Sequence, residues 1–138
     1  MSKVYSTQLT VQPEHIDDLQ HVNNVVYLQW VQDIAGQHWF SSSSHLQLDE
    51  LVWVAREHRI EYFAPALLGE NLALKTFVEK MQGVTSTRIV EIRRSGKLIC
   101  KCSSHWILVD QQSMRPRRIP QEITDLFIWA IPKELVVT

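Results

Sequence analysis

Ten consecutive residues hold the densest concentration of reactive side chains in the chain. His15-Ile16-Asp17-Asp18-Leu19-Gln20-His21-Val22-Asn23-Asn24 carries two acids, two histidines and two asparagines. A carboxylate in such a setting can act as a general base toward water or attack a carbonyl directly. The unsatisfied N–H groups at the start of a following helix, near Asn24 and Val25, carry a positive partial charge that would polarise that carbonyl. A plainer reading fits the same spacing. Asp17 or Asp18 would complement the helix dipole, Asn23 or Asn24 would cap the helix, and the histidines would be incidental.

The helix these residues introduce spans 23–40. Its polar positions Gln29, Gln32, Asp33 and Gln37 form one narrow stripe, and nearly all its other residues are apolar or aromatic. A helix apolar over about two-thirds of its circumference must be wrapped by something. Four β-prone runs follow: Leu51–Phe63, Asn71–Met81, Val84–Arg94 and Lys97–Val109. Turn signals at Pro65/Gly69, Gln82-Gly83 and Ser95-Gly96 separate them, the last two short enough for antiparallel hairpins. A first strand is expected over Val4–Val11, a loop at Ser41–Ser44, and a short terminal helix over Gln121–Ala130 with Ile123, Leu126, Phe127 and Ala130 on one side. The order strand, helix, four strands is α+β: a long antiparallel sheet wrapped around one central helix.

Composition narrows the function. The 138 residues include 14 Lys+Arg against 15 Asp+Glu, a net charge of -1, with 45% hydrophobic and 21% charged residues. That length predicts one domain over 1–138, burying roughly two-thirds of its unfolded surface. The charge balance argues against non-specific nucleic-acid binding, which needs a basic excess. No apolar run approaches the roughly 20 residues of a membrane span, and the N-terminus lacks a signal-peptide core, so a cytoplasmic protein is expected. Cys100 and Cys102 would share one face of a strand, about 7 Å apart. Reduced structural thiols are expected, since no second Cys pair completes a zinc site. His38, His45, His58 and His105 form no metal-binding pair.

The segment His15 to Trp30 resembles the signature of hot-dog-fold thioesterases of the 4-hydroxybenzoyl-CoA thioesterase family. In His21-Val22-Asn23-Asn24 and its Tyr27 and Trp30 it is also similar to plant acyl-ACP thioesterases. The likeness continues through Ile60–Glu70, Trp106–Asp110 and Arg118-Ile119-Pro120. It implies a hot-dog fold, activity on an acyl-CoA, no cofactor or metal, and a homo-oligomer (a dimer, or a tetramer built as a dimer of dimers) with sites at the dimer interface. By resemblance Asp17 takes the catalytic carboxylate's position, and His21, Asn23, Asn24, Val25 and Tyr27 shape the substrate site. Relatives often have an acid at the position of His15 and Gly at that of Gln20, and some a His at that of Asn24. Those departures bear on substrate and division of labour.

The chemistry is consistent with the residues. A thiol leaving group that ionises near ~8.5 needs little beyond a nucleophile and a stabilised oxyanion, and a Gly-x-Ser-x-Gly elbow is absent. The phosphates of CoA want basic partners. Arg88, Arg93, Arg94 and Lys97, with Lys101, crowd the strands around Ser95-Gly96, and Arg115, Arg117 and Arg118 form a second cluster. Either could sit at the pocket rim, or both could be solvated surface charge. Rival expectations are an acyl-ACP thioesterase and a non-catalytic acyl-thioester-binding protein.

Overall fold

A computed structural model describes residues 3–129. The chain forms β1 (Val4–Thr10), a 3-10 turn (Pro13–His15), α1 (Asn24–Ser43), β2 (Leu51–Tyr62), β3 (Asn71–Gln82), β4 (Thr85–Arg94), β5 (Lys97–Asp110) and α2 (Gln121–Phe127). The strands make one antiparallel sheet in the order β1-β3-β4-β5-β2. This is the α+β architecture expected. Each observed strand begins and ends within about one residue of the sequence reading, a usual margin for element ends.

The two tight hairpins form where expected. At the β4–β5 turn both Ser95 (φ 50°) and Gly96 (φ 80°) take left-handed backbone, as a two-residue turn matched to strand twist requires. Register shifts between Ala55 and Glu57, Val78 and Lys80, and Ile92 and Arg93 add local twist. The sheet therefore curls over α1.

Three expectations are corrected. The tetraserine is not a loop: α1 runs on to Ser43, and Ser44 opens a further 3-10 turn. The Ser43 hydroxyl donates to the Trp39 carbonyl at 2.6 Å, and Ser42 and Ser43 are buried. A small side chain that satisfies itself against the preceding turn is compatible with a helix end. The helix is also not wrapped on all its apolar sides. Tyr27, Trp30, Val31, Ile34 and Ala35 are buried, yet Val25 is 73% and Phe40 72% exposed, because a single curled sheet covers only one flank. The terminal helix ends at Phe127, burying Ile123 and Phe127; Ala130 lies outside the described residues.

The core has two apolar parts. One gathers Val22, Tyr27, Trp30, Val31, Leu72, Val90, Cys100 and Cys102 around the first half of α1. The other joins Leu51, Val78, Leu108, Ile123 and Phe127 beneath α2. A buried polar layer of Arg88, His38, Thr76 and Ser104 also occupies the interior. Cys100 and Cys102 are free thiols with no exposure, and burial pushes Cys100 up to about 12.

Candidate active site

The segment between the 3-10 turn and α1 is folded by its own backbone. Asp17 N–H donates to the His21 carbonyl (3.0 Å), and Gln20 N–H to the Asp17 carbonyl (3.1 Å). Ile16 and Val22 form an antiparallel bridge across this small loop. The reversal demands left-handed backbone at Gln20, with φ 66°, a position glycine occupies without steric cost. The loop is tied outward by Val22 N–H to the Ala66 carbonyl and Asn23 N–H to the His15 carbonyl, each 2.9 Å. His15 serves this scaffold: its Nδ1 accepts from Gln12 N–H at 2.9 Å, and its ring meets Trp30 edge-on.

The Asp17 carboxylate accepts from Leu19 N–H at 2.9 Å and stands 3.7 Å from His21 Nδ1. Its side chain is 25% exposed, so it faces neither the deep core nor open solvent. Asp18 is exposed. His21, expected by resemblance to shape the substrate site, stands beside Asp17 and lines a cleft of about 260 Å³. Val22, Asn24, Tyr27, Tyr62, Phe63, Ala64 and Pro65 form the rest of its wall. Asp17 is set behind His21 rather than in that wall.

The start of α1 resolves the capping question. Asn23 is the N-cap; its side-chain oxygen accepts from Val25 N–H at 3.0 Å. Its carbonyl accepts from Val26 N–H at 2.9 Å. Val25 N–H is thereby occupied, which corrects the expectation that it would be available to a ligand. Among the described residues the N–H of Asn24 has no acceptor, and Asn24 lines the cleft. Tyr27 is buried, and its hydroxyl accepts from Ala66 N–H at 3.0 Å, fixing the loop that closes the cleft. Burial raises the Tyr27 phenol above its usual range despite that bond. Tyr62 donates to the Asn24 carbonyl at 3.4 Å.

Sequence reasoning did not single out Tyr62, Phe63 and Ala64 as site residues. Their signal was only the strand end before Pro65, which gives no hint that β2 delivers it to the helix start. The basic residues divide. Arg94 Nη1 donates to the Pro65 carbonyl (2.8 Å) and to Glu70 (3.0 Å), which braces the cleft wall. Arg93 pairs with Glu91 at 3.2 Å, and Lys97 is exposed on the same turn. Arg88, expected at a rim, is 6% exposed inside the sheet's curl; alternation along β4 turns it inward with Val90 and Ile92. Among the described residues no group of three or more His, Cys, Asp or Glu is placed to hold a metal ion.

Comparison with known proteins follows the same segments. The model of the acyl-ACP thioesterase N-terminal domain matches residues 2–127. The acyl-CoA thioester hydrolase YbgC of Escherichia coli is 27% identical over 110 residues, 78% of this chain and 81% of that protein. The long-chain acyl-CoA thioesterase FadM of E. coli is 20% identical over 123 residues, covering 86% and 93%. The crystal structure of YbaW, a probable thioesterase from E. coli, superposes with a TM-score of 0.80 at 20% identity, covering 88% of this chain and 94% of that one.

Proposed function

The chain belongs to the acyl-ACP thioesterase family, and from that premise we propose that it hydrolyses acyl-CoA thioesters to the free acid and CoA as a single domain. The observation that carries the reading is the 25% exposed Asp17 carboxylate behind His21, at a cleft lined by Asn24, whose N–H has no acceptor among the described residues. The names of YbgC and FadM support the choice of CoA as carrier.

In this reading the thioester carbonyl lies against the Asn24 N–H, whose partial charge offsets the developing oxyanion; such donors are worth ~3–4 kcal/mol of barrier in other enzymes. Asp17 takes a proton from water as the water attacks, or attacks the carbonyl itself. Direct attack gives a mixed anhydride and a thiolate, and water then cleaves the anhydride and restores the carboxylate. His21 orients Asp17, Asn23 holds the helix start through its bond to Val25 N–H, and Tyr27 keeps the 63–66 loop closed. Lys97 and Arg93 at the β4–β5 turn supply charge for the CoA phosphates, while Arg94 holds the cleft wall.

A homodimer, or a tetramer made from two dimers, completes the site. Support comes from β2, a twelve-residue edge strand whose outer side has no neighbour in the sheet among the described residues, and from Leu19, Val25, Phe40 and Phe63, each more than half exposed. An unpaired strand edge and exposed apolar side chains are both features that a subunit contact covers.

The test is thiol release from a panel of aliphatic, aromatic and branched acyl-CoAs, run beside acyl-ACPs of matched acyl length. Turnover of acyl-CoA above background supports the proposal. A preference for acyl-ACP, which the family match favours, would move the reading to that carrier. Calorimetric binding of acyl-CoA with no thiol released would leave a binding protein.

A further inference from the structure

A second cavity, of about 290 Å³, lies between the later half of α1 and the inner face of the sheet. Gln32, Gly36, Trp39, Trp53, Arg88 and Trp106 are among its walls. Gly36 is twelve residues beyond Asn24, ~18 Å along the helix from its start. The volume stands at the low end for small-molecule pockets, enough for the end of a ligand rather than a whole one.

Its polar side chains include Gln32 and Ser86, which can donate or accept, and Arg88 and the Trp106 indole, which only donate. Both described hydrogen bonds of the Arg88 side chain leave from Nη1, to His38 Nδ1 (2.9 Å) and Thr76 Oγ1 (3.1 Å). Among the described residues no carboxylate stands within ion-pair distance of it. Its guanidinium also lies over the Phe127 ring, 5.8 Å from the centroid. Burial lowers the guanidinium to about 10, which still leaves it charged at neutral pH. Trp106 is half-buried, packed edge-on to His58, and its indole Nε1 has no hydrogen-bond partner in the described residues. Among the described residues Arg88 is thus a buried cation with no anion and Trp106 carries an N–H with no acceptor, arrangements that are costly to maintain. An anionic oxygen brought to Arg88 lowers the first cost, and Trp106 lines the same cavity.

We propose that this cavity receives the far end of an acyl group, and that this end carries a carboxylate which Arg88 binds, with the Trp106 N–H as second donor. The inference rests on the thioesterase reading above and adds a substrate class to it: thioesters of dicarboxylic acids. Trp39 and Trp53 enclose the methylenes next to that carboxylate.

The experiment compares kcat/KM for ω-carboxy acyl-CoAs, from adipoyl-CoA to hexadecanedioyl-CoA, with methyl-ended acyl-CoAs of equal length. At the length that reaches the cavity, the ω-carboxy substrate is expected to be preferred by at least about tenfold, since a site built around polar donors discriminates strongly against an analogue lacking the acceptor. Arg88→Met should abolish the preference. Gly36→Leu, a change that favours helix and narrows the cavity, should abolish it as well and serves if Arg88→Met does not fold. A preference for methyl-ended substrates at every length overturns the proposal, as does a preference that survives these variants. A readout independent of turnover is tryptophan emission, because three indoles line the cavity. Hexadecanedioic acid should shift it at lower concentration than hexadecanoic acid in the unmodified protein and lose that advantage in the variant. If no acyl-CoA is hydrolysed, the thioesterase reading fails, and the emission titration alone decides the cavity.

Discussion

Replacing Asp17 by Asn separates the two roles its geometry allows. The carboxylate accepts from Leu19 N–H at 2.9 Å, and an asparagine keeps an oxygen in that place. The loop should therefore hold, with a thermal midpoint within a few degrees of the parent; ~1 kcal/mol corresponds to about 4 °C in a domain of this size. Asp17→Ala removes the acceptor too and should cost about 1 kcal/mol. Chemistry responds differently. Asn can neither take a proton from water nor form a mixed anhydride, so kcat should fall ~10²–10⁴-fold, about 2.7–5.5 kcal/mol of barrier. KM should change little, because the carboxylate acts on the transition state. The assay is thiol release from the best acyl-CoA of the panel, with melting curves and sedimentation on the same samples. Undiminished kcat in Asp17→Asn, with loss only in Asp17→Ala, would refute the reasoning and leave Asp17 as a loop-forming residue.

Tyr27→Phe strands the buried Ala66 N–H, whose acceptor is the Tyr27 hydroxyl; the expected loss is ~1–3 kcal/mol, read from urea unfolding, and no loss would mean the loop finds another acceptor. Gln20→Gly relieves a left-handed backbone at φ 66° and should be neutral to ~1 kcal/mol stabilising, while Gln20→Val should destabilise; the reverse order in melting temperature would contradict the loop geometry. Alkaline stability follows from Cys100, held up at about 12 against an ordinary 9.0. Above the unfolded value the unfolded chain sheds a proton that the folded one keeps, so stability is full below pH 9 and falls as pH rises toward 12, by about 1 kcal/mol between pH 9 and 10. Urea midpoints across that range check it, and a Cys100→Ala variant should show a shallower slope.

Much of this protein is written locally. The Ser95-Gly96 turn, the long β-branched runs and the apolar helix between them are enough for the α+β plan, because turn chemistry and hydrophobic period act over a few residues. The cluster from His15 to Asn24 is likewise legible, since acids, caps and a helix start occur together in ten residues. What the sequence could not decide depends on contacts between distant positions. Whether Asn23 or Asn24 caps α1, and so which N–H stays open, is set by where Asn23's side chain falls relative to Val25. The cleft wall joins residues 21–27 to 62–65 only because β2 returns along the sheet edge to the helix start. Arg88 reads as surface charge beside Arg93 and Arg94, yet strand alternation and the curl of the sheet bury it against His38, which lies 50 positions earlier. Local sequence determined the elements and the reactive loop. Tertiary packing decided which donors remain unsatisfied, because satisfaction is a property of neighbours that the chain brings together only on folding.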